Sequence, residues 1–90
     1  MKANVETVLQ LIKTARGQLD AILRMVEEDK YCLDISHQLV SCDAIIKKAN
    51  REILRAHMES CVREAFESNS PEESKKKVDE LVDMLAKLSK

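Results

Sequence analysis

Three side chains in this sequence have the types to do chemistry together: Cys32, His57 and Cys61. Two thiolates and one imidazole are soft donors, suited to Cu(I) in a three-coordinate site and to Zn(II) if a fourth ligand is found. The same thiols also suit disulfide or persulfide chemistry. His57 and Cys61 are four apart, so on a helix they project from one face a turn from each other. Cys32 stands 25 positions before His57, which on a continuous helix is roughly 37 Å at about 1.5 Å per residue. One chain cannot then close the site. A second copy lying antiparallel can, because its Cys32 end would lie beside the first copy's His57 and Cys61. Each residue also has an ordinary role, since a free Cys commonly packs as a small hydrophobe and His-x-x-x-Cys on a helix is a weak motif by itself.

The remaining candidates carry less. Cys42 falls between Leu39 and Ile46 on an apolar seam and reads as core. His37 has only Asp34 at helical spacing and reads as a solvated surface pair. Lys47, Lys48, Arg51 and Arg55 form a basic cluster, with 47, 51 and 55 in a stripe along one helix face. Such a stripe is solvated in most helical proteins. Repeated by a dyad, it builds a phosphate-binding surface that one protomer lacks. There is no Gly-rich phosphate loop, no Ser/His/Asp arrangement, and no carboxylate three or four residues from His57, so an enzyme acting on a small-molecule substrate is not expected.

Helices must position these groups. From Tyr31 to Phe66 there is no Gly and no Pro. Across it Ile35, Leu39, Cys42, Ile46, Ala49, Ile53 and Ala56 recur three and four apart, the pattern of one long helix packed lengthwise. A first helix over about 3–28 carries the seam Val5, Val8, Ile12, Ala15, Leu19, Ile22 and Val26, interrupted by Gly17. The polar run at 27–30 implies an antiparallel hairpin between the two. After Ser68-Asn69, the string Ser70-Pro71-Glu72-Glu73 reads as N-cap, first helical position and capping box. A third helix then runs to about residue 88, with Val78, Leu81, Val82, Leu85 and Leu88 on its apolar face. Leu33, Val40, Leu54, Met58, Val62 and Ala65 lie outside the main seam of the long helix, and that excess calls for a second molecule.

The totals agree with an all-α domain spanning 1–90. One Gly and one Pro leave little material for hairpin turns, and a 90-residue chain is marginal unless it assembles. No apolar run approaches the ~20 residues of a membrane span and no signal-peptide pattern opens the chain, so a cytoplasmic protein is expected. The odd count of three cysteines argues against a disulfide scaffold. A net charge of −1 does not announce nucleic-acid binding by itself.

At these residues the sequence resembles the copper-sensitive operon repressor (CsoR) family of small helical metal- and thiol-responsive transcriptional repressors. The resemblance runs over about residues 8–66. It rests on Gly17-Gln18, on Arg24-Met25-Val26-Glu27-Glu28-Asp29-Lys30-Tyr31-Cys32-Leu33-Asp34-Ile35, and on His57-Met58-Glu59-Ser60-Cys61-Val62. It implies three-helix protomers pairing into an antiparallel four-helix-bundle dimer, and two dimers forming a flat tetramer. It also implies Cu(I) held by Cys32 of one protomer with His57 and Cys61 of its partner. Relatives that sense nickel or cobalt add histidines, one near the N-terminus, where Met1-Lys2-Ala3-Asn4 offers none. The formaldehyde-responsive branch lacks the second Cys and the persulfide-responsive branch lacks the residue matching His57, so the full triad favours copper.

The resemblance further links the ligand His to Tyr31 and to a third-helix Glu, for which Glu80 is the choice in a segment that is lengthened here. For operator DNA it leaves Lys13, Arg16, Lys47, Lys48 and Arg51 as candidates; this chain has fewer basic residues before Gly17-Gln18 than the family often has, and Asp20 where an Arg is common. The expected function is a repressor that binds operator DNA without metal and releases it with Cu(I). The rival expectations are a thiol-redox or persulfide switch using Cys32 and Cys61, and a copper buffer that never touches DNA.

Overall fold

A computed structural model describes residues 1–67 and 70–88, apart from the side chains at positions 65 and 88. The expectations for Ser68, Asn69 and the Ala65 and Leu88 side chains lie outside the described residues. Three helices make up the described residues: α1 (Val5–Glu27), α2 (Cys32–Glu67) and α3 (Pro71–Leu88). No helix among the described residues is long and apolar enough to cross a membrane.

Each helix starts and stops for a local reason. Asn4 caps α1, its Oδ1 accepting from the Thr7 N–H at 3.1 Å. The other end closes as a Schellman turn, in which the Lys30 N–H donates to the Met25 carbonyl and the Asp29 N–H to the Val26 carbonyl. Asp29 takes the left-handed position usually given to Gly, with φ 55. The chain then re-enters a helix directly: the Tyr31 carbonyl accepts from the Asp34 and Ile35 N–H groups. At α3, Ser70 Oγ accepts from the Glu73 N–H at 3.4 Å, and Pro71 takes the first helical position, where its missing N–H costs nothing.

The α1/α2 hairpin packs in steps of seven. Ala15, Ile22 and Cys42 form its buried cluster, with Ile35 and Ile45 against it. The buried positions Val8, Ala15 and Ile22 run antiparallel to Ala49, Cys42 and Ile35 in the same register. Small residues at Ala15, Cys42 and Ala49 let the helix backbones approach closely. The Cys42 thiol donates to the Ala15 carbonyl at 3.6 Å, tying one backbone to the other. Cys42 is therefore core. Only part of each expected seam is covered, however. Ile12 and Leu19 of α1 and Leu39 and Ile46 of α2 stay between 44% and 48% exposed, because they belong to parallel series of seven that turn away from the hairpin contact.

The result is one layer of helices, 59 × 28 × 14 Å. Its thickness is close to a single helix diameter of about 10–12 Å. Its radius of gyration, 17.9 Å, far exceeds the ~12 Å of a compact chain this long. Third-helix docking is thin: Val78, Val82 and Leu85 keep about half their surface exposed. Among the described residues, the side-chain hydrogen bond that joins α3 to α2 runs from Lys77 Nζ to the Glu64 carboxylate.

Two tests address these features. Asp29→Gly removes the steric penalty of a left-handed residue, about 1 kcal/mol. It should raise the thermal midpoint by several degrees, on the scale of roughly 4–8 °C per kcal/mol for a chain this size. The Lys77 hydrogen bond and charge hold the Glu64 carboxyl below its ordinary 4.5, and Glu64 holds the Lys77 ammonium above its ordinary 10.5. The carboxylate's contribution is whole above pH 4.5 and disappears as pH falls through the lowered value. The ammonium's is whole below pH 10.5 and disappears as pH rises through the raised one. Amide exchange along α3 should therefore accelerate below pH 4.5 relative to α1, and Glu64→Gln should abolish that difference.

Candidate metal centre

His57 and Cys61 come to one place because α2 is continuous through them. They line a cleft of about 80 Å³ between α2 and α3, together with Glu64, Lys77, Glu80 and Lys2. His57 is exposed while Cys61 keeps only 5% of its surface. The sulfur is backed by an apolar hollow formed with Val62, Phe66, Val78 and Leu81. Here a thiol is shielded from bulk water and an imidazole beside it is free to turn. His57 makes no hydrogen bond or ion pair among the described residues.

Cys32 and Tyr31 lie at the opposite end of α2. Cys32 is the first residue of the 36-residue helix, so the helix separates it from His57 by roughly 37 Å at about 1.5 Å per residue. All three cysteines are free, and Cys32 and Tyr31 are exposed. Among the described residues no three His, Cys, Asp or Glu side chains gather as a metal-ligand set. The chain thus brings together two of the three expected ligands and Glu80, and leaves Cys32 and Tyr31 at the far end. The donor types, one exposed thiol, one sheltered thiol and one unengaged imidazole, fit a soft monovalent metal once a second Cys32 is supplied.

Lys13, Arg16, Lys47, Lys48 and Arg51 are all exposed. Lys47 pairs with Asp43 at 2.9 Å, whereas the other four make no ion pair among the described residues. Arg55, the last member of the basic stripe, is forked between Glu52 at 3.1 Å and Glu59 at 3.2 Å. Its hydrogen bond to Glu52 holds its pKa above the ordinary value. His37 is exposed and makes no bond to Asp34. Sequence reasoning missed Lys2, Glu64 and Lys77 as cleft residues. Glu64 follows Cys61 by three and Lys77 precedes Glu80 by three, a same-face signal on both helices that only the docking of α3 makes meaningful.

Residues 4–87 match the family described as metal-sensitive transcriptional repressor. The copper-sensing transcriptional repressor CsoR of Mycobacterium ulcerans (strain Agy99) is 40% identical over 83% of this chain and 62% of its own length. The chain thus spans about three-fifths of that relative, and about half of the next mycobacterial ones. The CsoR of Bacillus subtilis (strain 168) is 32% identical over 94% of this chain and 81% of its own. In structure, the Cu(I)-bound copper-sensing repressor CsoR of Geobacillus thermodenitrificans NG80-2 superposes with a TM-score of 0.81, covering 96% of this chain and 86% of that one at 28% identity. The nickel-responsive transcriptional regulator InrS reaches the same TM-score at 19% identity, over 93% of this chain and 94% of its own, a likeness of fold alone. With residues 4–87 matched and a relative 32% identical over 94% of its length, this chain belongs to the metal-sensitive transcriptional repressor family.

Proposed function

We propose that the protein is a Cu(I)-responsive repressor. Two copies lie antiparallel, so that Cys32 of one protomer joins His57 and Cys61 of its partner around a Cu(I) ion. The observation that carries this reading is the unbroken α2, which puts two ligands at one end of a 59 Å molecule and the third at the other. Antiparallel pairing of two such helices is the arrangement that closes both sites at once. The uncovered series Ile12 and Leu19 on α1 with Leu39 and Ile46 on α2 supply the apolar faces for a four-helix bundle. Dimers then pair into a flat tetramer. Cu(I) is the sensed ion because the relatives of known specificity at 32–40% identity are copper sensors and the donor set is soft.

Without metal, the assembly holds operator DNA through phosphate contacts from exposed Lys13, Arg16, Lys48 and Arg51, with Lys47 recruited from Asp43. With Cu(I) held by one imidazole nitrogen of His57, the other would face Tyr31 of the second protomer and Glu80 of its own, which would favour the conformation that binds DNA less well. Reciprocity requires DNA to weaken copper binding by the same factor. A thiol switch is the second reading, favoured by the exposed free thiol of Cys32.

Anaerobic titration tests the proposal. One Cu(I) per protomer should weaken operator binding by about 5–150-fold, the usual allosteric range, and X-ray absorption should report two sulfurs and one nitrogen. His57→Ala should abolish the copper response. If that variant still releases DNA on thiol oxidation, the thiol reading takes precedence; an unchanged operator affinity with copper fully bound would rule out metal-driven release.

A further inference from the structure

Charge weighs on the choice between Cu(I) and a divalent ion at the proposed site. Two thiolates carry two negative charges, which a divalent ion balances better than Cu(I) does, and Cys with His is also a donor set for Zn(II). The charges around the sulfurs therefore matter. The cleft beside Cys61 is lined by two ammoniums, Lys2 and Lys77, and by two carboxylates, Glu64 and Glu80. In sum they cancel. Glu64 follows Cys61 by three on α2, so it shares the face of the ligand thiol at neighbouring distance. Lys77 of α3 donates a hydrogen bond to the Glu64 carboxylate. Its ammonium is acted on by Cys61 of α2 and by Glu73, four residues earlier on α3, as well as by Glu64.

We propose that Lys77 is a specificity-determining residue: by neutralising Glu64 it keeps a negative charge beside Cys61 from favouring a divalent ion over Cu(I). The proposal rests on the copper reading above and deepens it, because it names a residue outside the ligand set that governs which metal the ligands hold. A fixed charge acts on a divalent ion with twice the energy it exerts on a monovalent one. Uncovering the Glu64 carboxylate therefore strengthens binding of both ions, and of the divalent one more. The two sulfurs and the imidazole are unchanged, so the cost of losing Lys77 falls on discrimination rather than on the capacity to bind Cu(I).

Three variants separate this role from simple tethering of α3. Lys77→Gln removes the ammonium charge and keeps a hydrogen-bond donor for Glu64. Lys77→Gln/Glu64→Gln removes both charges and keeps a neutral donor and acceptor. Lys77→Arg keeps the charge. Cu(I) and Zn(II) affinities are measured on each, anaerobically, by competition with chelators of known affinity, and X-ray absorption checks that the Cu(I) shell stays at two sulfurs and one nitrogen. The ratio of Zn(II) to Cu(I) affinity should rise about fivefold in Lys77→Gln, the factor that one unit-charge interaction carries at close range in water. It should return to the wild-type ratio in the double variant and stay there in Lys77→Arg. A tether predicts instead that the single and double Gln variants behave alike.

A ratio in Lys77→Gln equal to that of the wild type overturns the proposal, as does a double variant that keeps the raised ratio. Either result leaves the copper reading standing. A wild type that takes up no Cu(I) on its two thiols and imidazole overturns the copper reading, and the specificity role falls with it.

Discussion

A helix of 36 residues paired with one of 23 cannot be covered by its partner. Most of what this molecule is follows from that mismatch. The hairpin buries one series of positions, Val8, Ala15 and Ile22 against Ala49, Cys42 and Ile35, and several of these are small. Apolar burial stabilises roughly in proportion to the area removed from water, so alanines and a cysteine contribute close backbone approach more than area. The chain ends as one layer only 14 Å thick. Stable domains ordinarily need two layers around a core; under the proposed reading the second layer is another copy of the chain.

The same straight helix sets the chemistry. Had α2 been broken in its middle, Cys32 could have folded back onto His57 and Cys61 within one chain. With no Gly or Pro from Tyr31 to Phe66 the helix runs through, and Cys32 stays roughly 37 Å from His57 at about 1.5 Å per residue. Under the proposed reading, sensing and assembly are then inseparable, because each metal ion takes residues from two protomers. At the His57 end, α3 docks through a small apolar contact and a half-buried ion pair rather than through a deep interface.

Much of the helical architecture was legible in spacing alone. Ser70-Pro71-Glu72-Glu73 marks the start of α3, and the polar run ending in Lys30 marks the hairpin. What spacing could not resolve was direction. A seam read as alternating threes and fours merges two series of seven that point roughly 50° apart at about 100° per residue. Nothing in the sequence says that Val8, Ala15 and Ile22 face α2 while Val5, Ile12, Leu19 and Val26 face outward. The site divides the same way. His57 with Cys61 is a same-helix relation and could be read; Glu64 with Lys77 depends on how α3 folds back over α2, which no periodicity within a helix encodes.

The thinness of the layer bears on the quantity of protein as well as its shape. Under the proposed pairing, a chain whose apolar faces are covered by other copies has no fixed stability of its own, because mass action makes its folded fraction rise with concentration. Dilution thins the folded population even when no residue has changed. With that pairing, cells holding little of this protein face a larger unfolded fraction than cells holding much of it, and synthesis level becomes a physical parameter of the fold.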